Sequence, residues 1–257
     1  MRSRMKIFGI ALCALAAAAC GGDGNGAGGG GGSGGTGGTG GTGGTGGTGG
    51  TGGTPTSTVN GTVRTFFSLQ DPVVVPGATV QVMNTDLSAT TDQNGEFTID
   101  GVPNGENFFI VEAPGHWGSV DYWDVPTETS GGFVLFVVTD ADIESAATEL
   151  GRTLSPDDGI VEIYFNPAVT GASGSINPTD HDPPFTLDAD GFLVVQNTAI
   201  AVDGEADLFF TGVPAGGTVT ASVEPPSGGT TCQVIESDPG TFPIMAKAIT
   251  VVYAACQ

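Results

Sequence analysis

The feature that most limits what this chain can fold into is a long run of glycine near its start. Residues 21–54 are mostly glycine and close with seven consecutive Gly-Gly-Thr units, from Gly34 to Thr54. Glycine has no side chain to bury and loses the most conformational freedom on folding, so such a run cannot build a hydrophobic core. We predict that residues 20–57 form a disordered, flexible linker with a root-mean-square span of about 30–35 Å.

The residues before this run have the pattern of an export signal. Arg2, Arg4 and Lys6 precede an uncharged stretch at 7–19. That stretch is too short to cross a bilayer, because a spanning helix needs about 20 apolar residues. A basic start, a short apolar segment and small residues at its end are typical of a signal peptide. We predict one at residues 1–19; a buried N-terminal helix is the alternative.

A lipid-attachment motif closes the predicted signal. Ala17-Ala18-Ala19-Cys20 resembles the lipobox of bacterial lipoproteins, although that family prefers leucine where Ala17 stands. The resemblance implies that Cys20 becomes the N-terminus and carries two or three acyl chains, which hold a protein on a membrane permanently. Gly21 stands where an aspartate would retain a lipoprotein in the inner membrane. The resemblance therefore implies an outer-membrane location, at the cell surface or the periplasmic face.

The remaining chain is strongly acidic. Removal of residues 1–19 leaves three cations against 28 acids, a net charge of −25. This charge repels nucleic acids and anionic lipid surfaces, so we expect no nucleic-acid partner. Contact with a membrane is expected only through the lipid on Cys20.

Two cysteines remain for the folded part, since Cys13 lies in the signal and Cys20 takes the lipid. Exported proteins fold in oxidising compartments, so we predict a disulfide between Cys232 and Cys256. It would close a loop of about 25 residues and contribute about 3.5 kcal/mol. Two free thiols or a metal pair are the alternatives, but two cysteines without a cluster of Cys or His make a poor zinc site.

Beyond residue 57, apolar and polar residues alternate, as Ala78, Val80 and Val82 do with their neighbours. Short alternating segments between turn formers such as Asn94-Gly95 are typical of a β-sandwich. We predict a first sandwich at residues 58–138. Its seven predicted strands are 58–67, 78–83, 87–91, 95–100, 106–113, 117–124 and 132–138.

A short helix and a second block follow. Thr139 is predicted to cap the helix and Gly151 to end it, within a connector at residues 139–157. The sequence Gly-Val-Pro-x-Gly occurs at 101–105 and again at 212–216, which indicates a diverged repeat. We therefore predict an all-β chain with two transthyretin-like or immunoglobulin-like sandwiches, the second at residues 158–257.

Residues 59–118 resemble a carboxypeptidase regulatory-like domain of transthyretin-like fold. The resemblance rests on Gly-x-Val in the opening strand, Pro-Gly-Ala-x-Val, Thr-Asp-x-x-Gly-x-Phe and Gly-x-Pro-x-Gly before Ala-Pro-Gly. The second block keeps the Gly-Val-Pro-x-Gly turn, but VTGASGSIN at 169–177 replaces a clear Pro-Gly-Ala element. The resemblance implies a non-catalytic accessory sandwich, often on exported proteins, without catalytic residues or a cofactor. Related folds bind starch-like glycans.

Three acidic turns are further places where the sequence could suggest a metal. Residues 180–184 place His181 between two aspartates, while 188–191 and 91–96 resemble the start of a calcium loop. The two latter segments lack the remaining calcium ligands. Solvated turns explain all three segments better, so we assign no metal site and leave calcium binding open.

The aromatic residues Trp117, Tyr122 and Trp123 fall within seven positions, next to Asp121 and Asp124. They are candidates for contact with a glycan; the alternative is that they fill the sandwich core. In a strand, residues 117 and 123 share one face and residue 122 lies on the other.

No reactive constellation is evident in the sequence. The chain has two histidines, and GASGS at 171–175 is not a nucleophile elbow. We predict a non-enzymatic, membrane-anchored extracytoplasmic lipoprotein that binds or adheres to cell-surface proteins or glycans. The alternative is a carbohydrate-binding accessory module.

Overall fold

The computed structural model describes residues 54–66, 72–127, 130–187, 193–195, 197–235 and 240–257. The predicted signal peptide, Cys20 and most of the predicted linker lie outside these residues. No helix in the described ranges is long and apolar enough to cross a membrane.

The first sandwich consists of two facing layers, which are joined at one edge where β6 pairs with β7 through His116–Thr139 and Trp117–Val138. One layer has the order β4-β1-β7, and its central strand β1 runs antiparallel to β4 and parallel to β7. The other has the order β3-β2-β5-β6 and is antiparallel throughout. The bounds are β1 Thr56–Thr65, β2 Thr79–Val82, β3 Ser88–Thr90, β4 Glu96–Pro103, β5 Gly105–Glu112, β6 His116–Val125 and β7 Ser130–Thr139. All seven predicted strands are present, with bounds that differ by at most three residues.

Alternating side chains from both sheets build the first core. Val59 and Val63 on β1 and Val80 and Val82 on β2 are fully buried, while the residues between them are more exposed. Each such side chain contributes about 1.5–3 kcal/mol when it is removed from water. The two-residue period that predicted the strands is therefore the pattern that forms this core.

The second sandwich repeats the strand pairing of the first. Its strand β8 is antiparallel to β12 and parallel to β16, as β1 is to β4 and β7. Strand β13 is antiparallel to β9 and β15, as β5 is to β2 and β6. The bounds are β8 Asp158–Ala168, β9 Ser173–Asn177, β10 Phe185–Leu187, β11 Leu193–Val195, β12 Gly204–Pro214, β13 Thr218–Glu224, β14 Cys232–Val234, β15 Phe242–Pro243 and β16 Ala248–Cys256. The predicted second sandwich of similar type is confirmed.

The segment 169–177 stands where the second sandwich lacks a clear Pro-Gly-Ala element, and its backbone resembles that element in the first sandwich. Gly171 has a φ of +87° and Gly77 has a φ of +77°, a region that favours glycine. The alanines that follow them, Ala172 and Ala78, are both fully buried. Residues 170–172 therefore perform the role of Pro-Gly-Ala without its proline.

The recurring Gly-Val-Pro-x-Gly segment connects facing layers. Strand β4 pairs with β1 in one layer of the first sandwich and β5 pairs with β2 and β6 in the other, and β12 and β13 lie in different layers in the same way. Gly101 and Gly212 have φ values of +76° and +66°. Because both copies need this backbone conformation, the glycine recurs where the chain crosses between the layers.

The single helix among the described residues, α1, spans Asp140–Leu150. Thr139 Oγ1 accepts a hydrogen bond from the backbone N–H of Asp142 at 3.1 Å, which caps the N-terminus. Gly151 has a φ of +66° and ends the helix in a left-handed turn. Both predicted helix boundaries are confirmed.

One sheet runs through both sandwiches, which the sequence did not predict. Strand β16 pairs with β8 on one side and in parallel with β6 on the other, through Ala248–Gly118, Ile249–Ser119 and Thr250–Val120. The continuous order is β11-β10-β12-β8-β16-β6-β5-β2-β3. The sequence left open whether the sandwiches pack together, and this pairing shows that they do.

Candidate functional site

The three aromatic candidates lie on β6, but they do not form one exposed surface. Trp117 is only 5% exposed. Trp123 is half-buried, with its ring centroid 4.6 Å from that of Phe133. Tyr122 lies on the opposite face of the strand, where its ring is 5.7 Å from that of Phe108. The geometry therefore does not support a flat glycan platform made of these rings, and their contact with a glycan stays a prediction.

Trp117 does line an open groove of about 560 Å³ between α1 and the segment that follows it. The apolar lining includes Ile143 and Ala147. Lys247 and Arg152 also line the groove, and they are two of the three cations beyond the predicted signal. This groove is the place in the described structure where aromatic, apolar and cationic groups meet.

Both cations in the groove already have partners. Lys247 Nζ lies 2.9 Å from Asp140 Oδ1, and the two side chains are 39% and 41% exposed. Arg152 donates to Thr211 Oγ1 at 3.0 Å and to the carbonyl oxygen of Pro183. An exposed ion pair contributes at most about 1 kcal/mol to stability. The main effect of these contacts is therefore to hold the side chains of Lys247 and Arg152 in place along the groove.

The acidic turn at 180–184 has a structural role. His181 Nδ1 is 2.7 Å from the carbonyl oxygen of Asp182, and the histidine ring packs edge-on against Phe210 at 5.0 Å. Thr211 Oγ1 donates to Asp182 Oδ2 at 3.1 Å. Within the described ranges, no group of three or more His, Cys, Asp or Glu residues is placed to hold a metal.

The turn at 91–96 is a tight connection that leads into β4. Asp92 Oδ1 accepts hydrogen bonds from the backbone N–H groups of Asn94 and Glu96, at 2.8 and 2.9 Å. A side-chain oxygen that closes the turn in this way is typical of an Asx-turn. The similar segment at 188–191 lies outside the described residues.

Buried carboxylates are the feature that sequence analysis missed. Asp121 on β6 and Glu162 on β8 are 5% and 6% exposed, and Asp207 on β12 is half-buried. Glu162 is flanked by the buried core residues Val161 and Ile163, so its side chain lies on the opposite face of the sheet. A carboxylate inside the apolar run GIVEIYF was the available signal.

Burial changes the protonation of these groups. It raises the pKa of Asp121 to about 6, despite hydrogen bonds from Ser119 and Tyr253 that lower it. Ser119 Oγ donates to Asp121 Oδ2 at 2.7 Å. Burial and the negative charge of Asp207 raise the pKa of Glu162 well above its usual range, so Glu162 keeps its proton and hydrogen-bonds to Asp207. Removal from water disfavours the charged form of each acid.

The carboxyl pair is poorly suited to glycoside hydrolysis. Retaining and inverting glycosidases separate their two carboxyl groups by about 5 Å or more, so that a sugar and water fit between them. Glu162 and Asp207 instead share a hydrogen bond, and Glu162 is buried. Together with Asp121 and Tyr253, they connect β12, β8, β16 and β6 across the join between the sandwiches.

Cys232 and Cys256 form the predicted disulfide, with an S–S distance of 2.00 Å. They lie directly opposite each other on β14 and β16. Their neighbours Thr231 and Gln257 exchange both backbone hydrogen bonds, at 2.9 and 2.7 Å. The cysteines therefore occupy a non-hydrogen-bonded position, where facing residues approach more closely.

Comparison with known proteins identifies the first sandwich. Residues 58–130 match the family model of the carboxypeptidase regulatory-like domain. The match confirms the resemblance at residues 59–118 and ends as β7 begins. No curated protein shows significant sequence similarity to the chain.

Solved structures give only distant likenesses. A cohesin–X-dockerin complex from Acetivibrio cellulolyticus matches at 23% identity and a TM-score of 0.28, over 32% of this chain and 58% of that chain. The shaft pilin SpaA from Lactobacillus rhamnosus GG matches at 12% identity and a TM-score of 0.26, over 79% and 98%. A DUF3823 family protein from Parabacteroides merdae matches at 14% identity and a TM-score of 0.25, over 66% and 89%. These scores are too low to indicate a function.

Proposed function

We propose that this chain is a non-catalytic extracytoplasmic lipoprotein, which presents two joined β-sandwiches for binding or adhesion. The observation that carries the proposal is the order of its parts. A lipidation motif at Cys20 is followed by the glycine-rich run, and a carboxypeptidase regulatory-like sandwich begins at Thr56. This order supports the proposal of a folded domain carried at the end of a membrane tether.

The charge of the chain supports this arrangement. An outer leaflet and a processed chain with a net charge of −25 repel each other when the leaflet is anionic, since both carry the same sign. The lipid on Cys20 supplies the attachment that the domain surface does not. A linker with a span of about 30–35 Å then holds the sandwiches away from the membrane.

The buried acids support a binding role over a catalytic one. Glu162 on β8 and Asp207 on β12 are hydrogen-bonded to each other within the second sandwich, and Asp121 on β6 accepts hydrogen bonds from Ser119 and Tyr253. A general acid or base has to reach a substrate within about 3 Å, directly or through one water. These groups satisfy one another and contribute to the assembly of the sheet.

Metabolic labelling with palmitate in a bacterial host tests the anchor. We expect the wild-type chain to incorporate the label and the Cys20→Ser variant to lose it. Cys13→Ser is the matched control, because Cys13 lies in the predicted signal and should be dispensable. An unlabelled wild-type chain, or equal labelling of Cys20→Ser, would refute the anchor.

The groove beside Trp117 favours the alternative function, a carbohydrate-binding module. Thr148 lines the groove from an exposed position on α1, whereas Glu149 is exposed but does not line it. If a glycan binds there, Thr148→Lys should weaken retention on a glycan array and Glu149→Lys should not. A wild-type chain that binds no polysaccharide on the array would remove this alternative.

A further inference from the structure

We propose that the sandwiches resist tension applied between the predicted tether and the rest of the chain. Resistance to tension would be useful to the cell only if the chain is anchored through Cys20, as proposed above. The resistance itself depends only on how the strands pair. An anchored adhesion module is pulled at its membrane end and at its bound end. The parallel pairing of β1 with β7 and of β8 with β16 determines whether such a pull loads the hydrogen bonds between the strands one at a time or all together.

Tension from the tether enters the fold at the start of β1. Strand β1 begins at Thr56, two residues after the last Gly-Gly-Thr unit. It is the central strand of its sheet, with six paired positions toward β4 and six toward β7. A pull along β1 is therefore opposed by hydrogen bonds on both of its edges.

The parallel pairing of β1 and β7 sets the direction of the stress. Because the strands run the same way, the start of β1 and the end of β7 lie at opposite ends of the pair. The chain enters at the start of β1 and leaves toward α1 at Thr139. Pulling these points apart slides one strand along the other and stresses all the rungs together, since the hydrogen bonds run between the strands.

The second sandwich has the same arrangement. Strand β8 follows the helical connector and pairs in parallel with β16 at six positions, from Ile249–Ile160 to Ala254–Phe165. A pull between the start of β8 and the end of β16 again slides two parallel strands. The disulfide between Cys232 and Cys256 holds β14 to the end of β16. Both sandwiches therefore contain a parallel strand pair that slides when its two ends are pulled apart.

Side chains fasten the point where tension enters. Ser57 Oγ is 2.6 Å from Asn104 Oδ1 and 2.8 Å from the carbonyl oxygen of Pro126. The backbone N–H of Asn104 donates to the carbonyl oxygen of Pro55 at 2.9 Å. These contacts hold the start of β1 to two neighbouring turns, so the strand does not fray at its stressed end.

Single-molecule force spectroscopy with two pulling directions tests the proposal. The chain from residue 20, with Cys20→Ser and the disulfide oxidised, carries one handle at its N-terminus. The second handle is placed either on Ala141→Cys, an exposed position in α1 directly after β7, or on Thr127→Cys, an exposed position in the turn between β6 and β7. The first pair of handles slides β1 along β7, while the second peels the two strands apart from one end.

We expect the first sandwich to unfold at a force at least about twofold higher in the sliding direction than in the peeling direction, at equal loading rate. Its event in the sliding direction is identified by the release of residues 56–139, about 300 Å of contour. When the chain is pulled between its termini, reduction lengthens the event of the second sandwich by about 85 Å, because the disulfide encloses a separation of 24 residues. Equal forces, or a lower force in the sliding direction, would overturn the proposal.

Two controls distinguish a mechanical effect from a disturbed fold and from a failure of the proposed lipid anchor. Thr127→Cys pulled between its termini should keep the wild-type force, which shows that the substitution leaves the fold intact. The measurement needs no lipid, so a high sliding force combined with absent palmitate labelling would refute the anchor alone. A low sliding force combined with normal labelling would refute the mechanical role alone.

Discussion

At the scale of single residues, the buried acids are the most consequential feature of this chain. Asp121, Glu162 and Asp207 come from three strands and lie close to the join of the sandwiches. An ionised carboxylate is disfavoured there, because burial removes its water. These positions therefore couple the stability of the fold to pH.

The first prediction concerns this pH dependence. The pKa of Asp121 is about 6 in the folded chain and 3.8 when it is exposed, so between these values the folded state binds more protons. The free energy of unfolding should therefore increase as the pH falls from 7 toward 4, with a contribution from Asp121 of up to about 3 kcal/mol. Urea denaturation at a series of pH values measures this change.

Two variants test the assignment to Asp121. Asp121→Asn should reduce the pH dependence, to which Asp207 with its pKa raised to about 6 still contributes, and should stabilise the fold at pH 7.5 by about 1–2 kcal/mol, since it removes a buried charge. Asp203→Asn is the opposite control: hydrogen bonds from Thr170 lower the pKa of this exposed acid, so its substitution should not stabilise the fold at pH 7.5. An unchanged pH dependence in Asp121→Asn would contradict the assignment.

The second prediction concerns Gly118, where β6 meets β16. A Cβ at this position would lie 2.2 Å from the carbonyl oxygen of Val111, and the Gly118 N–H donates to the backbone carbonyl oxygen of Lys247 at 2.9 Å. Gly118→Ala should destabilise the fold by about 2–4 kcal/mol, because the backbone has to move. Gly131→Ala has open space around its Cβ and is the matched control in thermal denaturation. Equal stability of the two variants would contradict the close approach at Gly118.

At the scale of secondary-structure elements, the disulfide gives the third prediction. The disulfide links β14 to β16, the strand that pairs with β8 in the second sandwich and with β6 in the first. The double variant Cys232→Ala, Cys256→Ala should lose about 3 kcal/mol of stability in denaturant titration, chiefly because the unfolded chain gains freedom. Addition of reductant should lower the stability of the wild-type chain but not that of the variant. A variant as stable as the oxidised wild-type chain would contradict this role.

Local patterns predicted those elements whose signal is local. Alternation predicted the seven strands of the first sandwich, and the threonine and glycine at its ends predicted α1. The second sandwich was predicted as a block without strand bounds, and its strands β10, β11 and β14 have three residues each, too few to show a clear period. At the site, the disulfide was predicted, but the acids were missed since Glu162 and Asp207 meet only after β8 and β12 pair.

At the scale of the whole molecule, the join between the sandwiches is the central finding. Three parallel residue pairs connect β6 with β16, and the rings of Phe108 and Phe242 pack edge-on at 6.2 Å beside them. Met245 packs against Ile110 and Val120 in the same region. Pairing between strands more than a hundred residues apart leaves no local pattern, so the sequence did not predict it.

Residual dipolar couplings measured by NMR on the weakly aligned protein test this join most directly. Couplings from β1 to β7 and from β8 to β16 report the orientation of each sandwich separately. We predict that one alignment tensor fits both sets, since a continuous sheet makes them a single rigid body. Two tensors of different magnitude would show that the sandwiches reorient independently and would contradict the account.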